Sequence, residues 1–213
     1  MTKALIAEAI GTFALTFIGA GAGALGVGGL VGVAFAHGLV VLAFAYAYGH
    51  HSGAHINPAV TFGLWVAGEI QAGRAVAYWI AQAIGGILAG VALVIVLGSG
   101  EAVKPGATVL AANVTAGQGL LLEAILTFFL ANTVLNTAVS GKGGPLSGVA
   151  IGMTLTLSIL MGGPLTGASL NPARTLGPAL FTGTVNQFWI YLVGTFIGGA
   201  VAGLLYRGVF KEK

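Results

Sequence analysis

The sequence predicts an all-α membrane protein with six transmembrane helices and two re-entrant half-helices, arranged as an inverted repeat. Three observations support this fold class. Of the 213 residues, 57% are hydrophobic and 6% are charged, whereas a soluble domain carries about 25% charged residues. The triplet Asn-Pro-Ala occurs at residues 57–59 and again at residues 171–173. The segments around the first triplet also resemble segments around the second, and each pair of similar segments is separated by nearly the same number of residues.

Six apolar runs are long enough to cross a bilayer core of roughly 30 Å, and each is bounded by glycine, proline or charged residues. They fall near residues 4–25, 30–49, 75–97, 118–139, 146–162 and 187–208. Some contain pairs of glycines four residues apart, which let membrane helices pack closely. These pairs are Gly86 and Gly90, Gly194 and Gly198, and Gly199 and Gly203.

Each Asn-Pro-Ala triplet predicts the start of a short helix inside the membrane. Asparagine is a favoured N-cap, and proline suits the first helical position because its missing N–H has no helical partner there. The glycines that follow, up to Gly68 in the first copy and Gly177-Pro178 in the second, leave room for about ten helical residues, or roughly 15 Å. Each half-helix therefore crosses half of the bilayer core. The opening residues are Asn57, Pro58 and Ala59, and Asn171, Pro172 and Ala173.

An internal repeat relates the two halves of the chain. Residues 7–13 and 122–128 are similar at a spacing of 115, and the two triplets are 114 residues apart. We therefore expect one domain over residues 1–213, with repeat 1 at about 4–97 and repeat 2 at about 118–208. Because each repeat contains three spans, the second must be inserted upside down relative to the first.

The basic residues predict the orientation. Cytoplasmic loops of membrane proteins carry an excess of lysine and arginine. In this chain Lys104 alone falls in the opposite loops, whereas six basic residues share one side with the termini: Lys3, Arg74, Lys142, Arg207, Lys211 and Lys213. We expect an integral, multi-pass protein of the cell membrane with both termini in the cytoplasm.

The two asparagines are candidate solute-binding residues. Each side-chain oxygen can cap its helix, while the NH₂ group remains as a donor toward a lumen. Two such donors from opposite sides orient a water molecule at the midpoint, so that protons cannot hop along the file. The two helix N-termini add an electrostatic barrier to cations. Capping alone is the simpler reading, but the paired, inverted occurrence of Asn57 and Asn171 favours a pore.

Four other polar residues of the membrane segments are candidates for a role in the pore or in its scaffold. Arg174 follows the second triplet within a membrane segment. A cation is costly in that environment, so an arginine there is expected to have a function. We expect it to donate to solutes and to repel cations, and the alternative is an arginine that reaches the membrane interface. We expect His37 to line the pore, although a buried structural histidine is common. Glu8 and Glu123 occupy matching positions, and we expect each to accept N–H groups of a re-entrant loop. A proton relay is the alternative for the glutamates.

Several function classes lack support in the sequence. The chain has no cysteine, and it shows no catalytic triad, carboxylate pair, metal-ligand cluster or phosphate-binding loop. We therefore expect no enzymatic activity, no cofactor and no metal. The eight basic residues are scattered and form no patch, which argues against a nucleic-acid partner.

With these triplets, the glutamates and Arg174, the chain resembles the aquaporin (major intrinsic protein) family over essentially its whole length. The resemblance implies the aquaporin-like right-handed bundle, a homotetramer with one pore per subunit, and a selectivity filter. By position, the filter maps to His37, Ile159, Ala168 and Arg174. This set is similar to that of plant tonoplast intrinsic proteins, which pass water and, in several cases, ammonia or hydrogen peroxide.

We therefore expect a passive, proton- and ion-excluding water channel in a lipid bilayer, with ammonia and hydrogen peroxide as candidate further solutes. One alternative is a facilitator for glycerol or other small neutral solutes. Glycerol facilitators usually carry Asp after the filter arginine, whereas this chain has Thr175. A coupled secondary transporter is an alternative of another class, since inverted repeats with broken helices also occur there. A non-conducting structural membrane protein is the third.

Overall fold

The computed structural model describes residues 1–212, and their regular secondary structure is helical throughout. The all-α prediction is confirmed. Six helical segments within the described residues are long and apolar enough to cross a membrane. They are Thr2–Ala24, Gly29–Ser52, Ala72–Leu97, Ala116–Val139, Gly144–Thr166 and Val185–Phe210.

The individual α-helices are numbered in chain order. They are α1 (Thr2–Ala24), α2 (Gly29–Ser52), α3 (Pro58–Ala67), α4 (Ala72–Leu97), α5 (Gly100–Val103), α6 (Ala116–Val134), α7 (Ser147–Thr166), α8 (Pro172–Thr182) and α9 (Phe188–Leu205). Helices α6 and α9 each continue into a π-helical turn, at Leu135–Val139 and Tyr206–Phe210.

The predicted fifth span ended at residue 162, one turn too early. Helix α7 passes through Pro164 and ends against Gly167, which adopts the left-handed conformation.

The two predicted half-helices are α3, with ten residues, and α8, with eleven. The Asn57 side-chain oxygen accepts from the N–H groups of Ala59 and Val60 at 2.9 and 3.4 Å. Asn171 caps α8 in the same way. Helix α8 does not end at Gly177-Pro178, as the sequence suggested, but continues to Thr182.

Each half-helix packs against the last span of the other repeat. Helix α3 contacts α9, and α8 contacts α4. Glycines allow the backbones to touch: a Cβ atom on Gly86 would overlap the carbonyl oxygen of Ala173, and one on Gly199 would overlap that of Ala59. Gly90 contacts α8 and Gly203 contacts α3 in the same manner. The predicted close packing at these glycines is confirmed, and the half-helices connect the two repeats.

The outward surface of the bundle is apolar. On α4, for example, the large side chains that point away from the other helices are at least half exposed: Ile80, Ile84, Leu88 and Ile95. Such a surface suits a lipid environment and not water. The protein is therefore an integral, multi-pass membrane protein.

Candidate functional site

The loops that precede the half-helices have an unusual backbone. Ala54 and Ile56 in the first loop, and Ala168 and Leu170 in the second, have positive φ angles between 41° and 54°. Residues with a Cβ rarely adopt this conformation, which costs of order 1–3 kcal/mol each unless the surroundings hold it. The strained positions alternate in both loops and are 114 residues apart. The surroundings that hold them are therefore expected to be related as well.

Glu8 holds the first loop. One carboxylate oxygen accepts from the Ser52 hydroxyl at 2.6 Å and from the N–H of His55 at 2.9 Å. The other oxygen accepts from the N–H of Ile56 at 2.6 Å and from the Gln82 amide at 2.7 Å. Glu8 is fully buried. The carboxylate thus satisfies loop N–H groups that have no helical partner.

Glu123 holds the second loop through matching contacts. It accepts from the Thr166 hydroxyl at 2.7 Å, from the N–H of Ser169 at 2.9 Å and from the N–H of Leu170 at 2.9 Å. The position that matches Gln82 is Thr195, whose hydroxyl donates to the carbonyl of Tyr191 in its own helix. The first loop is therefore held by one more side chain than the second.

The two capping asparagines are linked through the opposite loops. The Asn57 amide donates to the carbonyl of Leu170, and the Asn171 amide donates to the carbonyl of Ile56, both at 2.8 Å. Each side-chain oxygen caps its own helix, so each NH₂ group retains one hydrogen. Sequence reasoning missed these reciprocal bonds because a backbone carbonyl has no sequence signal.

Arg174 lies in the first turn of α8 and is 4% exposed. Its Nε and Nη2 groups donate to Nε2 of His37 at 3.3 and 3.2 Å, and Nη2 also donates to the carbonyl of Gly106 at 3.0 Å. Nδ1 of His37 faces the carbonyl of Val33 at 2.8 Å, so it carries the hydrogen and leaves Nε2 as the acceptor. Within residues 1–212, the buried Nη1 group of Arg174 has no hydrogen-bond partner.

A cavity of about 440 Å³ joins these groups. It extends from Tyr46 and Ser147 at one end, past both asparagines, to His37 and Arg174. The structure therefore brings four of the predicted site residues to one continuous space. Pro58, Ala59, Pro172 and Ala173 are buried in the first turns of the half-helices.

Ile159 and Ala168 belong to the same apolar core cluster as residues of the cavity wall such as Leu155 and Leu170. They are 2% and 1% exposed and belong to the apolar core. The Cβ of Ala168 lies 3.2 Å from the position that a Cβ on Gly162 would take. Both residues are tightly packed, and their role in a filter stays a prediction.

The long loop between α4 and α6 contributes residues that the sequence analysis did not identify. The Gly106 carbonyl binds Arg174, and the Thr108 hydroxyl lies 2.9 Å from that of Thr175. Gly106 also packs so closely on α1 that a Cβ there would overlap the carbonyl of Ala20. This loop folds inward and positions the start of α8. Its composition gave no indication of that contact.

The fold and the site together define a multi-pass membrane protein with a polar cavity between two facing half-helices. The chain belongs to the major intrinsic protein family, whose family model matches residues 1–206. The expected family is thereby confirmed.

Two plant relatives and one solved structure illustrate the similarity. Probable aquaporin TIP3-2 of Arabidopsis thaliana is 42% identical, with 96% of this chain and 82% of the relative aligned. Aquaporin TIP4-4 of Zea mays is also 42% identical, with 99% and 88% aligned. The X-ray structure of the aquaglyceroporin from Plasmodium falciparum superposes with a TM-score of 0.85 at 25% identity, covering 98% of this chain and 96% of that one.

Proposed function

We propose that this chain is a passive water channel that excludes protons and ions. The observation that carries the proposal is the pair of asparagine amides on one cavity, each with one N–H hydrogen left after its bond to the opposite loop. A water molecule between them accepts from both, so its own hydrogens point along the file. The N-termini of α3 and α8 add positive potential at the same place.

The selectivity of this channel depends on Arg174. Its charge opposes cations, and its Nη1 group is a buried donor that can bind the oxygen of a passing solute. Together with His37 it forms the polar end of the cavity, and we propose that Ile159 and Ala168 complete the filter from the surrounding packing. Ammonia and hydrogen peroxide are candidate further solutes because they are neutral and close to water in size.

The coupled transporter is a weaker proposal than the channel. Coupling needs an acid that is free to exchange protons during transport. The two buried glutamates are each engaged by at least three hydrogen bonds to their loops. The family is one of channels, and we propose no enzymatic activity for this chain.

We further propose that both termini are cytoplasmic and that four copies form a homotetramer with one pore each. Ion pairs of the C-terminal segment support the grouping of the basic residues on one side. Lys211 contacts Glu69 at 2.7 Å, and Glu212 contacts Lys142 at 2.9 Å. Placement in the cell membrane rests on the sequence prediction alone, since the relatives belong to the tonoplast intrinsic group.

The proposed function is tested by stopped-flow light scattering on proteoliposomes. Osmotic shrinkage in an impermeant solute should be fast and have a low activation energy, re-swelling in glycerol should be absent, and an internal pH dye reports ammonia entry.

Val41 lines the cavity, so Val41→Trp should abolish water flow, whereas Val91→Trp, on the exposed outer face of α4, should not. Water flow no faster than in empty liposomes, from folded protein, would contradict the channel. Glycerol re-swelling would favour the facilitator.

A further inference from the structure

Gly19 on α1 lies directly against the imidazole of His37. A Cβ atom at this position would lie 2.7 Å from Cε1 of the ring and still closer to Nε2 and Cδ2. The three atoms nearest to that point all belong to the imidazole. The ring therefore occupies the space in which any other residue at position 19 would place its side chain.

Both nitrogens of the same ring are also engaged in hydrogen bonds. Nδ1 donates to the Val33 carbonyl, and Nε2 accepts from two N–H groups of Arg174. His37 also lines the cavity. Helix α1 closes one side of the ring, so an imidazole that is pushed away from α1 moves toward the cavity or toward the guanidinium.

We propose that Gly19 is a positioning residue of the channel, which sets the place of the His37 imidazole and thereby the width of the pore. The missing side chain lets the imidazole lie recessed against α1, which keeps the cavity open at its polar end. The recessed ring also offers Nε2 to Arg174 and so fixes the guanidinium. This inference rests on the proposed function, because it assigns a width to the pore at that site.

A clash at Gly19 differs from one at the helix-packing glycines. The overlapping atoms belong to the end of a side chain, which can rotate, and not to a neighbouring backbone. Alanine also has a higher helix propensity than glycine. Gly19→Ala should therefore fold and assemble like the wild type, and the displaced imidazole should obstruct the pore.

The test compares the osmotic water permeability of Gly19→Ala with that of the wild type and Gly73→Ala in proteoliposomes. Gly73 is a helical glycine of α4 whose Cβ would meet open space, so it controls for the substitution itself. We expect a severalfold loss of water permeability in Gly19→Ala and none in Gly73→Ala. If the wild type conducts water and Gly19→Ala conducts equally well, the inference is wrong while the channel stands. A wild type that does not conduct would instead contradict the proposed function.

A double variant separates displacement of the ring from a general effect on packing. His37→Ala removes the imidazole, so Gly19→Ala in that background has no ring to displace. We expect the permeabilities of His37→Ala and the double variant Gly19→Ala/His37→Ala to be equal. The same fractional loss in both backgrounds would show that Gly19 acts through helix packing, and would overturn the assignment.

Discussion

At the scale of single residues, the buried pair of Arg174 and His37 carries most of the proposed selectivity. The guanidinium is 4% exposed and has acceptors for Nε and Nη2, while Nη1 is free within the described part of the chain. An unpaired buried donor is costly to leave without a partner. We propose that the oxygen of a passing solute supplies that partner, so that the cost is relieved when the pore is occupied.

Arg174→Ala is expected to leave folding largely intact and to loosen the exclusion of protons and cations. The positive charge at the end of the cavity is lost, and water can bind the Gly106 carbonyl and Nε2 of His37 in its place. Proton leak should rise by about tenfold, which corresponds to about 1.4 kcal/mol in the barrier. It is measured with a pH dye inside proteoliposomes. Arg207→Ala, an exposed arginine near the C-terminus, is the control. Unchanged selectivity in a folded Arg174→Ala channel would remove Arg174 from the filter.

Glu8→Gln is expected to reduce stability and the yield of folded protein. Both carboxylate oxygens accept from donors, so the NH₂ group of glutamine must face at least one of them. A buried donor left without an acceptor costs about 1–3 kcal/mol. The measurement is thermal unfolding in detergent, and Glu101→Gln is the control because that side chain is 80% exposed. A variant that folds normally but loses proton-coupled flux would support the relay instead.

At the scale of elements, the two half-helices depend on the long helices that receive them. Local signals start α3 and α8 through the asparagine caps and the prolines at the first helical position. Their placement is decided by backbone contacts with α9 and α4, which glycines permit. The strained loops before them persist because the two buried glutamates hold their N–H groups.

Gly86→Ala is expected to destabilise the protein because the added Cβ would overlap the carbonyl oxygen of Ala173 at the start of α8. That backbone atom cannot rotate away, and overpacking of this kind costs about 1–3 kcal/mol or more. Unfolding temperature and folded yield are the readouts. Gly73→Ala on the same helix has open space at its Cβ and should match the wild type. Equal stability of both variants would show that α8 can shift at no cost.

At the scale of the whole molecule, the fold places apolar side chains outward and polar groups inward. The outer faces of the long helices suit lipid, while both glutamates, both asparagines and Arg174 are buried. Each half-helix contacts the last span of the other repeat, so neither repeat completes its packing alone. The cavity forms where the two repeats meet, which is where solute sites of inverted repeats are expected.

The six spans and the starts of the half-helices are predictable from the amino-acid sequence alone, and the resemblance of its motifs indicates the family. The spans and the helix starts follow from local rules, namely apolar length, N-capping and the fixed φ of proline. In the apolar core of a bilayer such rules say much about a structure, because a charged or polar residue in an apolar span needs a specific partner.

Which polar groups meet follows from the tertiary structure. The Asn57 amide binds a carbonyl 113 residues away, and Arg174 binds the Gly106 carbonyl in a loop without a distinguishing motif. Every residue carries a backbone carbonyl, and a glycine such as Gly19 does not reveal which side chain will occupy the space beside it. Such contacts depend on how two long helices approach each other, and that distance is set by packing across the whole bundle.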